Sequence, residues 1–423
     1  MMTGNTLKTE FLYARWDGFS NSLRYSVRLY DEIDYEVLKK AVQTAKDRYP
    51  YLNLKVVMGE NGPEIVENDA PVPVTYGEKP VVLGGSEAFG HFWAVACEGN
   101  DIFFDIYHNL TDAKGIINAI KTVLYLYLSE HTGDSLSDEG ICLPGQDFLP
   151  GELDDPYEAA GISDDMRPIY ELKQRGALAP DFRYATDMER CNYAIKASVD
   201  DVMKIARQCD ASPAVILAYY LKETIRELFP DMEGQPISCG FPHSVRDIAS
   251  GENNYHNQTV DFHVFYDDRI NALPMKTQLI CTRGAIVLQG DPDNVRYQMS
   301  QRVQFAKKVS EFPTYAEKKK AYRDNIKVLI ANKETIVVSY LGITDWGSIE
   351  KYISEVRLHC SPLLSPIFIG ACCVNNDLNI SLMINHTSDA YAKKFVELMN
   401  GDGISAELLH AFPNDVSEVE MCF

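Results

Sequence analysis

The chain lacks any excess of positive charge: its 423 residues carry 61 acidic against 40 basic side chains, a formal net charge of -21. Polyanions would be repelled rather than bound through released counterions, so nucleic acid and anionic membrane surfaces are not expected partners. A second absence is an unbroken run of roughly 18 apolar residues, about what a membrane-spanning helix requires. The start, MMTGNTLKTEFLYARWDG, has no basic segment leading into an apolar one. A soluble, cytoplasmic protein is the expectation. Ten cysteines are scattered without a CxxC pair, and the adjacent Cys372 and Cys373 fall in a strand-like run whose neighbouring side chains leave opposite faces. Reduced thiols, not a disulfide framework, are expected.

Several signatures of chemistry are also missing. There is no GxSxG elbow, no Walker loop and no GxGxxG following a strand, so the hydrolase, NTPase and dinucleotide readings lose their usual support. The segment LGGSEA, Leu83 to Ala88, lacks the Asp or His before Ser that a phosphopantetheine attachment loop would carry, and reads as a glycine turn. His243, His256 and His263 match no established zinc spacing; along an extended chain, positions 256 and 263 leave opposite faces. No metal is expected.

What is present is a long chain with 46% hydrophobic residues, enough for two domains. Leu23 to Tyr30 is strand-like, and DYEVLKKAVQTAKDRYPYL begins with an Asp34 cap candidate and sets Val37, Leu38, Ala41, Val42 and Ala45 on one helical face. His91 to Cys97 and Ile102 to Tyr107 form a strand pair around an EGND turn, and Gly115 to Leu128 has helical periodicity. From His131 to about Arg190 the regularity fails, which reads as a crossover between halves. Strands then include CNYAIKASV, PISCGFPHSVR, TVDFHVFY, ETIVVSYLG, SPIFIGACCV and LNISLMI, interspersed with helices that include a long stretch from Asn294 to Leu329. The class is α/β with mixed sheets (α+β). The expected division is 1–180 and 181–423. DIFFDIYHNLTDAKGIINAI and DLNISLMINHTSDAYAKKFVEL repeat one order, strand, polar turn with His and Asp, helix. Two related halves would enclose a cleft.

The first of those turns carries the candidate chemistry. A neutral imidazole at a rigid strand end, His108, can take a proton from a hydroxyl or amine as that group attacks a carbonyl, and a core histidine is the plainer alternative. Asp112, one helical turn later and pointing inward, would be costly to bury alone and so needs a cation. Arg246, in GFPHSVRD at the end of another strand, is the candidate. Asp112 then shapes the loop and is not the third member of a triad.

These residues resemble a family. YHNLTDAKGI is similar to the HHxxxDG signature of chloramphenicol acetyltransferase-like acyltransferases, which include peptide-synthetase condensation domains and alcohol O-acetyltransferases. LKKAVQTAKDRYPYL resembles the family's first helix with its Arg-His-Pro-x-Leu ending, Tyr49 standing in the His position. FPHSVRDIASGENNYHNQTV resembles the Pro-Val-Asn-Leu-Arg segment with a downstream Asn, here Asn257. VVSYLG resembles the late Ser-Asn-x-Gly strand, giving Ser339 and, in the Asn position, Tyr340. Together these cover most of the chain, and the likeness is greatest to the standalone alcohol acetyltransferase-like branch.

The resemblance implies two subdomains in a V with a tunnel at their interface. An acyl thioester donor, most often acyl-CoA as co-substrate with no permanently bound cofactor, would meet a small alcohol or amine acceptor at His108. His108 would deprotonate the acceptor and return the proton to the departing thiolate, Asp112 and Arg246 would pair, and Ser339 would lie near the developing oxyanion. Tyr107 replaces the family's first His and Ala113 its Gly. If position 113 needs a positive φ, Ala costs on the order of 1 kcal/mol, with Gly115 close enough to absorb the strain. The expected activity is CoA-dependent O- or N-acyl transfer; the alternatives are a catalytically inactive binding module and a condensation domain that uses carrier-protein thioesters.

Overall fold

The helix expected after Asp34 starts there: the Asp34 carboxylate accepts from the backbone N–H groups of Glu36 and Val37, and Leu38, Ala41, Val42 and Ala45 form its buried stripe. A cap of this kind contributes about 1 kcal/mol. Ser198, Ser212 and Asp267 cap later helices in the same way. In a computed structural model, residues 4–15, 21–60, 62–163, 166–169, 191–230, 235–331, 334–360, 367–384, 388–413 and 415–421 are described.

The first part of the chain forms α1 (Asn5–Tyr13), β1 (Ser22–Leu29), α2 (Tyr35–Lys46), β2 (Leu54–Gly59), β3 (Gly62–Glu67), β4 (Val74–Tyr76), β5 (Trp93–Glu98), β6 (Asp101–Tyr107), α3 (Ile117–Thr132) and α4 (Pro156–Ala159). Then come β7 (Cys191–Ser198), α5 (Val199–Cys209), α6 (Pro213–Leu228), β8 (Ile237–Ser244), β9 (Thr259–Tyr266), α7 (Asp268–Asn271), α8 (Met275–Gln289), α9 (Pro292–Ser310) and α10 (Tyr315–Ala331). The chain ends with β10 (Ile336–Ile343), β11 (Ile353–Cys360), β12 (Ile367–Val374), β13 (Asp377–Ile384), α11 (Ala390–Gly401) and β14 (Ala406–Pro413).

The long helical stretch expected from Asn294 to Leu329 is two helices. Pro313 breaks it, and α10 restarts on a capping box in which Thr314 Oγ1 accepts from the Glu317 N–H at 3.3 Å while Glu317 accepts from the Thr314 N–H at 3.1 Å. No helix among the described residues is long and apolar enough to cross a membrane.

Two sheets organise the molecule, one ordered β11-β1-β6-β5-β4 and one ordered β14-β7-β13-β12-β10-β8-β9, with β2 and β3 as a separate hairpin. Each sheet serves its own core, one built on Tyr25, Leu38, Phe104 and Ile120, the other on Leu217, Phe241, Ile369 and Phe395. The expected boundary at 180/181 lies outside the described residues, and the cores do not divide the chain so simply. Trp346, Ile349, Ile353, Val356 and Leu358, with Val419 and Met421 near the C-terminus, belong to the first core. β11 pairs antiparallel with β1, carrying the late chain back into the first sheet. Cys372 and Cys373 mark the seam, Cys372 in the first core and Cys373 in the second, as strand alternation requires. The nine described cysteines are all free thiols.

The strand–turn–helix order repeats in β6–α3 and β13–α11; the polar turn at 385–387, which includes His386, lies outside the described residues. β6 is an inner strand that ends at Tyr107, so His108 leaves the first sheet at its rim. The connection from β8 to β9, residues 245–258, belongs to the second sheet.

The crossover is tied to both. Arg48, at the end of α2, donates to the two Glu152 oxygens at 2.8 Å each, with both side chains only 2% exposed. Tyr51 donates to Glu152 at 2.5 Å and its ring lies 4.2 Å from that of Tyr255. Asn254 donates to the carbonyls of Gly151 and Asp154 at 2.7 and 2.8 Å. Tyr49, in the family's His position, bonds to Thr122 at 2.7 Å and is a core residue. Replacing Arg48 by Met leaves the Glu152 carboxylate buried without its cation. The expected loss is about 3–5 kcal/mol, read as a lowered urea midpoint, and adding Glu152→Gln to the same chain should recover part of it.

Candidate active site

The site is assembled from the β6–α3 turn of the first lobe and the β8–β9 connection of the second. Asp112 and Arg246 meet across that seam. Arg246 Nη1 donates to Asp112 Oδ2 at 2.9 Å and Nη2 to Oδ1 at 2.8 Å. Each Asp112 oxygen accepts a second bond, Oδ1 from the Gly115 N–H at 2.8 Å and Oδ2 from the Gln258 N–H at 2.9 Å. The remaining Arg246 donors reach the carbonyls of Asn254 at 3.0 Å and His256 at 2.9 Å and the Ser244 hydroxyl at 3.2 Å. Both side chains are buried. Burial alone would raise the Asp112 pKa, but the Arg246 charge, its two hydrogen bonds and the two amides hold it below the ordinary carboxylate range.

His108 stands next to this clamp, half-buried, with its backbone N–H on the Asn21 carbonyl at 2.8 Å. Asn21 has φ of 50°, a left-handed conformation that Asn tolerates. The ring Nδ1 lies 3.1 Å from Asn257 Nδ2, and the Asn257 Oδ1 accepts from the Thr259 hydroxyl at 3.1 Å. In this arrangement the ring proton sits on Nε2; rotating the Asn257 amide by 180° would keep both contacts, with Nδ1–H donating to Oδ1 and the Nε2 lone pair free. Desolvation lowers the His108 pKa, Asp112, its own carbonyl and Asp261 oppose that shift, and Arg302 reinforces it. The net shift favours the neutral imidazole.

The other expected residues fall in different surroundings. Tyr107 is buried, and its hydroxyl donates to the Phe11 carbonyl of α1 and accepts from Asn109, both at 2.8 Å. Tyr340 bonds through its hydroxyl to Cys373 Sγ at 3.5 Å and packs against the second core, so it does not stand in for an amide. Ser339 leaves β10 on the opposite face, the one from which Leu341 packs against the first core. His243, His256 and His263 have separate partners, the Phe262 ring, Asn254 and Glu334.

The structure corrects the account of Ala113 and Gly115. Ala113 is not among the positive-φ residues, so no strain needs absorbing there. Gly115 also has an ordinary φ; what it supplies is room, since a Cβ would lie 2.1 Å from the Tyr255 carbonyl oxygen and 2.4 Å from Thr111 Oγ1. That approach is sealed by Thr111 Oγ1 donating to the same carbonyl at 2.5 Å. Thr111 and Tyr255 were not legible as site residues, because their contact joins a side chain of one loop to a backbone carbonyl of the other.

The chain matches no family model, and no curated protein matches it in sequence. Solved structures do match in three dimensions. Polyketide synthase associated protein 5 from Mycobacterium tuberculosis superposes with a TM-score of 0.58 over 94% of this chain and 95% of its own, at 12% identity. TRI101 of F. sporotrichioides, solved with coenzyme A and T-2, gives 0.55 over 92% and 96%, at 10% identity. The condensation domain from Monacolin K polyketide synthase MokA gives 0.51 over 94% of each chain, at 11% identity. The chain thus shares its fold with these condensation-domain and acetyltransferase structures.

Gly115→Ala should push the two loops apart and lower the melting temperature by several degrees, whereas Ala113→Gly, which restores the family's residue, should bring no gain in stability. Differential scanning calorimetry of the two variants beside the parent separates close approach from φ as the reason for glycine in this turn.

Proposed function

We propose that the protein transfers an acyl group from a coenzyme A thioester to an alcohol or amine, with His108 as the general base. The observation that carries this is an imidazole at the rim of the first sheet, held 3.1 Å from Asn257 of the second lobe and beside the Asp112–Arg246 clamp. Among the structural neighbours, TRI101 of F. sporotrichioides and of F. graminearum were solved with coenzyme A together with T-2 or deoxynivalenol, and TRI3 is a trichothecene 15-O-acetyltransferase.

In this reading the acceptor hydroxyl or amine gives its proton to Nε2 as its heteroatom bonds to the thioester carbonyl carbon. The carbonyl oxygen becomes an oxyanion, and the Ser339 hydroxyl, on the face of β10 turned toward the first lobe, is the donor available from the late strand. Collapse of the intermediate breaks the carbon–sulfur bond, and the proton held on Nε2 passes to the thiolate. Asp112 takes no proton; it holds the loop.

Two other readings have some support. The condensation-domain neighbours favour a carrier-protein thioester as donor, and the diversion of Tyr340 to Cys373 favours a module that binds without turnover.

Thiol release from acetyl-CoA with a panel of alcohols and amines tests the proposal. His108→Ala should lower turnover by at least about 10²-fold, and unchanged turnover in that variant would defeat the mechanism. The base works unprotonated, so the rate should be lost as pH falls through its folded pKa. Because burial moves that pKa down from 6.5, the acid limb of kcat/KM should have its midpoint below this value.

A further inference from the structure

Helix α9 turns an apolar face toward the first lobe: Phe305 and Val309 pack against that core, and Ala306 is fully buried. Arg302 lies one turn before Phe305 and Ala306, so its side chain leaves the same face. It is half-buried, and the described carboxylates that act on it, Glu10 and Asp261, do so through charge without a hydrogen bond. Its hydrogen-bond partner is the neutral Tyr157 hydroxyl, with the charges of Glu10 and Asp261 further away.

Tyr157 in turn donates to both Glu10 oxygens at 3.3 Å. Glu10 adjoins Phe11, whose carbonyl receives the Tyr107 hydroxyl, so this cluster borders the residue preceding His108. Asp261 lies on the β9 face of Thr259, the residue bonded to Asn257. A guanidinium has five N–H donors in a planar fork, and an inward-facing one with a single neutral acceptor is an incomplete ion site. Burial raises the Glu10 pKa and the Arg302 charge opposes that shift.

We propose that Arg302 receives a carboxylate carried by the acyl acceptor, a few bonds from the hydroxyl that faces His108, so that the preferred acceptors are hydroxy acids. This rests on the acyl-transfer reading. The donor does not supply the anion, because the phosphates of coenzyme A lie at the far end of the pantetheine arm from the reacting carbonyl. A bidentate bond to the carboxylate would hold the hydroxyl in place for attack.

The probes are glycolate and 3-hydroxybutyrate, each against its methyl ester. With acetyl-CoA as donor, kcat/KM should favour each acid over its ester by about 10- to 100-fold, and Arg302→Gln should bring the acid-to-ester ratio close to one, whatever it does to the absolute rates. Isothermal titration without donor should show the same preference in binding, lost in the Gln variant. Equal binding of acid and ester by the parent, or a preference that survives Arg302→Gln, overturns the inference whether or not product forms. A carboxylate preference in binding, with no transfer to any acceptor, would uphold the Arg302 site and sink the acyl-transfer reading. If the Gln variant does not fold, Arg302→Lys keeps the charge without the fork, and the preference should fall without vanishing.

Discussion

The contact between Asp112 and Arg246 holds the candidate site together, because no part of it is left unmatched. Both carboxylate oxygens accept two bonds each, and the guanidinium reaches two carbonyls and a hydroxyl besides. A buried ion pair is weak evidence for stability when its remaining valences are open, since each ion loses hydration worth several kcal/mol. Here those valences are filled by the backbones of the loops that must be positioned. The pair therefore acts on geometry: it sets residues 112–115 of one lobe against residues 244–258 of the other, and so brings Asn257 to the His108 ring.

The same seam fixes the electrostatics. His108 lies between two acids, Asp112 and Asp261, that favour its charged form and the combined effects of burial and Arg302 that oppose it, and the second group prevails. A group meant to accept a proton must be free of one at the working pH. Since Asp112 is neutralised by Arg246, it can lie one turn from the imidazole without holding a proton there. The carboxylate keeps its own charge for the same reason.

Much of this was legible because it was local. The Asp34 cap, the strand ending at Tyr107 and the helix after it follow from residues within a few positions of one another. The need of Asp112 for a cation followed from burial, and Arg246 was found by its place at a strand end. What escaped were features decided by distant partners. β11, ISEVRLHC, alternates Glu355, Arg357 and His359 with apolar residues and looks like a half-exposed polar segment. In the fold those side chains are buried, Arg357 pairing with Asp101 at 2.7 Å and with Glu355 at 3.1 Å, beside Arg28 and Asp101 at 2.7 Å and Arg24 and Asp105 at 2.7 Å. A charged strand is stable inside only when its complement is supplied by other strands, and no local pattern announces that. Arg302 escaped for a related reason: within its helix it is one more cation, and only the packing of α9 turns it inward.

The departures from the motif pattern this chain resembles are better understood as changes of employment than as losses. Tyr107, where a first histidine is usual, fastens the site strand to α1 through the Phe11 carbonyl, and its ring lies among those of Phe11 and Phe92 at 5.2 and 5.7 Å. α1 also reaches α9 of the second lobe, where Asn5 bonds to Ser310 at 3.2 Å. The first lobe is thus joined to the second by an N-terminal helix, by β11, and by β12, which presents Cys372 to one core and Cys373 to the other. Three elements crossing one seam restrain the lobes from sliding independently. In the proposed reading a base on one side and its orienting amide on the other need that restraint, because a hydrogen bond weakens steeply with small errors in distance and angle, and acyl transfer across an interface could be no more exact than the interface itself.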